Sequence, residues 1–166
     1  MIRPATPADA DMIAFHRYPD EPDAAERPLY AAWVEEAIGR GIYVGFLLES
    51  AGAVIAGAGL TLLEWGPTRA DPQPYRARLV NVWTHPAWRR QGNARALVQA
   101  CLDAAQERGV TRLSLGTTDP GRPLYEGLGF RASPTEMTVN LVAPSPGSRR
   151  DCKACPDVPF MPEPLP

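Results

Sequence analysis

Residues 89–95, Arg89-Arg90-Gln91-Gly92-Asn93-Ala94-Arg95, place a basic, glycine-containing turn between a strand-like run, 79–84, and an amphipathic run. A turn that feeds a helix in this way points the N–H groups of 91–95 at one spot, and the positive end of the helix dipole adds to them. Gly92 removes a side chain where backbone must approach a ligand closely, and the small Ala94 keeps the first helical turn open. The chemistry favoured there is the holding of a diphosphate. A second candidate is Tyr125, inside the glycine-bearing segment 121–130. A phenol stays protonated at neutral pH yet donates a strong hydrogen bond, so it can act as an acid. The alternative is a ring that is packed, with its hydroxyl satisfied elsewhere.

The elements that must position these groups are readable from periodicity. Residues 2–5 form a short strand, and Thr6 with Asp9 resembles a capping box that opens a helix from Pro7. Residues 23–40 carry Ala24, Leu29, Tyr30, Trp33, Val34 and Ile38 at helical spacing and stop at Gly41. Two β-rich runs, 42–48 and 53–63, flank the hairpin signal Glu49-Ser50-Ala51-Gly52, and 76–84 is a further strand. The helix after Gln91 puts Ala94, Leu97, Val98, Cys101, Leu102 and Ala105 on one face and ends at Gly109. Residues 110–115 then return as a strand parallel to 76–84 through a right-handed crossover. Pro123 starts a short helix over 123–127, and 137–142 is the last strand. Antiparallel strands followed by a β-α-β unit predict an α+β fold with a mixed, mostly antiparallel sheet and flanking helices.

The order Arg-x-x-Gly-x-Ala after a strand, then Leu124-Tyr125-Glu126-Gly127-Leu128-Gly129-Phe130, resembles the two signatures of the GNAT superfamily of acyl-CoA-dependent N-acyltransferases. The resemblance covers about residues 1–142, and its specific part is confined to 76–130. It implies a single domain whose central parallel strand pair splays apart at a bulge, where the pantetheine arm of acetyl-CoA pairs as an extra strand. The matching strand positions here are Val82, Trp83 and Thr84, just before His85-Pro86; Trp83 is also readable as a core or surface aromatic. The resemblance implies that Arg89, Arg90, Gln91, Gly92, Asn93, Ala94 and Arg95 hold the diphosphate of acetyl-CoA, the acyl donor. It implies that Tyr125 sits near the sulfur and protonates the departing thiolate. The family often has an asparagine seven positions before that tyrosine; Thr118 stands there instead, and its hydroxyl could make a shorter version of the pantetheine contact. Direct transfer needs a neutral amine, so a carboxylate, a histidine or ordered water must take a proton. Glu64 and His85, at strand ends, are the candidates, and His16 with Tyr18 falls in the region that forms part of the family's acceptor site. The expected activity is N-acetylation of a small-molecule or peptide amine in a ternary complex. The alternative is a non-catalytic acyl-CoA-binding or interaction module of the same fold. Dimers are common in the resembled family, so a homodimer is a possible state.

Composition sets the remaining bounds. A 166-residue chain with 45% hydrophobic and 22% charged residues is that of an ordinary globular domain. A net charge of −2 gives no whole-molecule attraction for nucleic acid or anionic membrane. No signal-peptide core or membrane-length apolar run is present, which predicts a cytoplasmic protein without a membrane partner. No Gly-x-x-x-x-Gly-Lys-Ser/Thr loop occurs, which argues against a nucleotide-phosphate enzyme. Cys101, on the apolar helix face, reads as a buried thiol. Cys152 and Cys155 have the spacing of a metal or redox pair but stand alone without a nearby histidine, short of the usual four zinc ligands, so no metal is expected. After residue 142 the composition shifts to proline, which predicts a domain over 1–142 and an extended tail over 143–166.

Overall fold

A computed structural model of the chain describes residues 1–69 and 71–134. The expected strand at 137–142, the proline-rich tail and its two cysteines lie outside the described residues. Met1–Arg131 form one compact unit. Its strands are β1 (Ile2–Pro4), β2 (Tyr43–Ser50), β3 (Ala53–Glu64), β4 (Tyr75–Thr84) and β5 (Leu113–Ser114). Its α-helices are α1 (Ala10–Arg17), α2 (Arg27–Gly39), α3 (Asn93–Glu107) and α4 (Arg122–Glu126). The sheet runs in the order β1-β2-β3-β4-β5, antiparallel throughout except for the parallel pair β4–β5. This is the α+β fold expected, with a mixed sheet that has one parallel pair.

Helices cover both faces of the sheet. On one face α3 lays Leu97, Val98, Cys101 and Ala105 over Ala56, Ala58, Leu60, Ala77 and Leu79. Burial there pushes the Cys101 thiol up to about 12. On the other face α1 and α2 bring Ile13, Ala14, Val34 and Ala37 against Tyr43 and Leu47. β3 serves both layers through its pleat. Its alanines face α3, while Gly57 and Gly59 face α1 and α2, where a Cβ at Gly57 would come within 2.5 Å of His16 Nδ1. A Cβ at Gly59 would collide with the Tyr43 hydroxyl. The glycines therefore leave room for two polar aromatic side chains behind the strand.

Several boundaries differ from the expectation. Pro7–Asp9 and Glu21–Glu26 are 3-10 segments, so the two helices begin at Ala10 and Arg27. Leu29, expected on the apolar face of α2, is 76% exposed, and the buried positions are Ala31, Val34 and Ala37. The strand expected over 110–115 shrinks to Leu113–Ser114, paired only through Ala77↔Leu113 and Arg78↔Ser114. Its apolar residues suit a strand, but its pairing with β4 stops at Arg78↔Ser114, ahead of an irregularity farther along β4. The start of that ladder is clamped by a buried ion pair, Arg76 Nη1 to Asp71 Oδ2 at 2.9 Å, and Asp71 also accepts the Thr111 hydroxyl. Among the described residues no helix is long and apolar enough to cross a membrane.

Candidate active site

β4 bends because it carries one residue too many. Gly59 pairs with Val80 and Gly57 with Trp83, so two steps along β3 face three along β4. The extra length is a β-bulge, and Asn81 sits there at φ 56°, a left-handed conformation that asparagine tolerates better than most residues. A buried asparagine must be satisfied. Asn81 Nδ2 donates to the Tyr30 hydroxyl at 2.9 Å and to the Tyr43 hydroxyl at 3.0 Å, and Tyr30 donates to Asn81 Oδ1 at 3.2 Å. Burial raises the pKa of both phenols, keeping them protonated as the network requires. Asn81 was missed at the sequence level; its signal was a single amide inside an apolar run.

Beyond the bulge β4 stays paired with β3 but has no parallel neighbour among the described residues, and a cavity of about 400 Å³ opens between β4 and the end of β5. Val82 lies on its β4 side and Tyr125 across from it, with Leu115 and Gly116 between. Tyr125 packs edge-on against Phe130, with ring centroids 5.8 Å apart. Partial burial pushes its phenol upward, and among the described residues its hydroxyl has no protein partner. Trp83 turns from the opening into an aromatic cluster, stacked on His16 at 4.5 Å and edge-on to Phe15 at 5.5 Å. His16 is 5% exposed, its Nε2 is without a partner among the described residues, and burial holds its pKa down at about 4. The Thr84 hydroxyl is likewise buried and unpartnered.

The basic turn follows directly. Arg89 Nε donates to the Thr84 carbonyl at 3.1 Å, and Asn93 Nδ2 to the Trp88 carbonyl at 2.8 Å, so side chains brace the turn internally. Gln91 Nε2 donates to the Ala87 carbonyl at 3.3 Å. Arg90 at φ 60° and Gly92 at φ 84° carry the reversal. No side chain caps α3, and its first internal bond is Ala96 N–H to the Gly92 carbonyl. The N–H groups of Gln91, Gly92, Asn93, Ala94 and Arg95 thus meet no acceptor among the described residues. Arg95 reaches from this helix start to the Gly127 carbonyl at 2.9 Å, joining the turn to the end of the tyrosine-bearing helix.

Other candidates lie elsewhere. Glu64 is exposed and pairs with Tyr75 at the far end of β4. His85 is exposed, with Nδ1 accepting the Ala87 N–H at 3.3 Å. Neither lines the cavity. Thr118 is an exposed residue whose carbonyl accepts the N–H groups of Gly121 and Arg122.

An opened parallel pair beside an uncapped, basic helix start defines a class: acyltransferases with an α+β sheet. The chain belongs to the acetyltransferase (GNAT) family, whose model matches residues 9–130. Comparison with curated protein sequences returns no match. Among solved structures, a GCN5-related N-acetyltransferase from Ralstonia eutropha is 29% identical with a TM-score of 0.77, covering 85% of this chain and 97% of that one. A predicted acetyltransferase with acetyl-CoA from Clostridium acetobutylicum is 20% identical with a TM-score of 0.78, covering 84% and 95%. A glucosamine-6-phosphate N-acetyltransferase from Arabidopsis thaliana shares the fold at 15% identity and a TM-score of 0.68, covering 86% and 98%.

Proposed function

We propose that this acyltransferase moves an acetyl group from acetyl-CoA to a small-molecule amine by direct attack in a ternary complex. The observation that carries this reading is Tyr125, whose hydroxyl has no protein partner among the described residues and which lines the opening where β4 loses its parallel neighbour. Val82, Trp83 and Thr84 offer backbone at that opening, to which an extended amide arm can add as a strand. The unpaired N–H groups of 91–95 and the charges of Arg89 and Arg90 suit the diphosphate, while the Arg95 guanidinium serves to tie the turn to Gly127. Thr118 stands as a contact to the arm on resemblance alone.

The transfer balances as follows. The acceptor nitrogen attacks the thioester carbonyl carbon, a C–N bond forms and the C–S bond breaks. Tyr125 gives its proton to the departing sulfur and regains one from solvent. The proton lost by the nitrogen goes to water, because no carboxylate or imidazole lines the cavity among the described residues. Positioning and backbone N–H donors to the carbonyl oxygen supply the rest of the rate enhancement. Isothermal titration with CoA and acetyl-CoA, followed by an amine panel read by free-thiol release, tests the reading. Binding and acceptor-dependent thiol release are expected; a folded protein that binds neither CoA nor acetyl-CoA overturns it.

A further inference from the structure

The acceptor side of the cavity is cationic, with no carboxylate lining it among the described residues. Arg17, at the end of α1, and Arg78, on β4, both line it, with Tyr30, Trp33 and Thr61 between them. Arg17 is positioned by aromatic faces, its Cζ 5.8 Å from the Tyr18 ring centroid and 5.9 Å from that of Tyr30. Among the described residues the one hydrogen-bond partner of Arg78 is the Ser114 hydroxyl, at 3.5 Å. Arg3, Arg40 and Arg76 each reach a carboxylate at 2.9 Å or less, whereas neither Arg17 nor Arg78 pairs with one among the described residues.

We propose that Arg17 and Arg78 select an acceptor amine that also carries an anionic group, a carboxylate or a phosphate. This rests on the N-acetyltransfer reading above and names the substrate class for that same site. A guanidinium presents a planar fork of donors that matches either anion bidentately, and such charge-assisted bonds are strong where water is partly excluded. A polycationic acceptor would instead bring like charge to two cations with no carboxylate among the lining residues to offset it. The same two charges lower the pKa of an ammonium held beside them, which favours the neutral, nucleophilic amine. The aromatic walls accept the apolar part of the acceptor.

The test uses the full chain with acetyl-CoA and matched probes. One set is leucine, leucinamide and isoamylamine; the other is O-phosphoethanolamine and ethanolamine; spermidine is the polycation. The expected result is kcat/KM at least about tenfold higher for the anionic member of one set than for its neutral partners, with spermidine poorest. Which set responds separates carboxylate from phosphate. Arg17→Gln and Arg78→Gln, both at exposed positions, should each shrink that ratio toward one. A preference for neutral members or spermidine overturns the anionic acceptor while leaving acetyltransfer standing. Equal ratios in wild type and both variants also overturn it. Titration of acetyl-CoA, run in parallel, separates this from the donor reading: no donor binding removes the function itself, whereas donor binding with no probe acetylated or bound removes the anionic acceptor.

Discussion

At residues 6–9 the chain closes the start of a helical segment with its own groups, whereas at residues 90–95 it leaves one open. The Asp9 carboxylate accepts the Thr6 N–H at 2.8 Å and its hydroxyl at 2.9 Å, and Arg3 grips the same carboxylate at 2.8 and 2.9 Å. Gly92 brings no side chain to α3, and the donors behind it stay unpaired among the described residues. An N-cap is worth roughly 1 kcal/mol, so the second arrangement forgoes stability that the first shows this chain can supply. The same contrast runs along the β5 side of β4, clamped by Asp71 and Arg76 at its beginning and without a parallel partner past Arg78 among the described residues. Closed ends hold the fold; the open ends are where the proposed donor would bind.

Damage to the open regions should cost function and damage to the closed ones stability. The largest effect is expected at Tyr125. Tyr125→Phe keeps the ring against Phe130 and should lower turnover roughly 10²–10⁴-fold, with acetyl-CoA affinity little changed. Rapid-quench and titration measurements read the two separately, and parallel loss of melting temperature and affinity would return Tyr125 to a packing role. Next is His16, buried behind the opened strand. Its pKa in the fold, about 4, lies below the ordinary 6.5, so between those values the unfolded chain binds a proton the native one does not. Stability should therefore fall as pH drops from 6.5 towards 4, by up to about 3 kcal/mol, and His16→Leu should flatten the slope in urea melts. Asp9 does not confuse this window, because Arg3 holds its carboxyl below the usual 3.8 and its contribution is lost only at lower pH.

Gly92→Asp should weaken CoA binding by about tenfold through left-handed strain and repulsion of the diphosphate. Gly92→Ala carries the strain alone, so the difference between the two variants isolates the charge; equal affinities would argue that the turn holds no anion. The smallest effect belongs to the closed start. Asp9→Ala should cost about 1 kcal/mol in denaturant melts with CoA affinity unchanged, and a drop in affinity would show that the two helix starts are coupled.

What could be read from the sequence was local. The glycine turn and the tyrosine segment each lie within about ten consecutive residues, and the strand–turn–helix order follows from periodicity. Asn81 was illegible because its meaning comes from Tyr30 and Tyr43, 51 and 38 positions away. The pairing of Arg17 with Arg78 was hidden for the same reason, since α1 and β4 meet only in the fold. Gly57 and Gly59 weaken a strand by propensity, and only the side chains of His16 and Tyr43 explain them. β5 was overestimated because apolar content reports willingness to pair, not whether a partner strand is present.

The long reach of the Asn81 contacts has a kinetic consequence. A bulge held by hydroxyls from α2 and β2 cannot settle while those segments are still apart, and contacts between distant residues carry a high loop-closure cost. The opening beside β4 is thus expected to form late in folding. In a refolding experiment, capacity to bind acetyl-CoA should return with the slowest phase rather than with helix formation. A donor that recognises only the finished strand would then add its binding energy to the native state alone, drawing the last partly folded chains across.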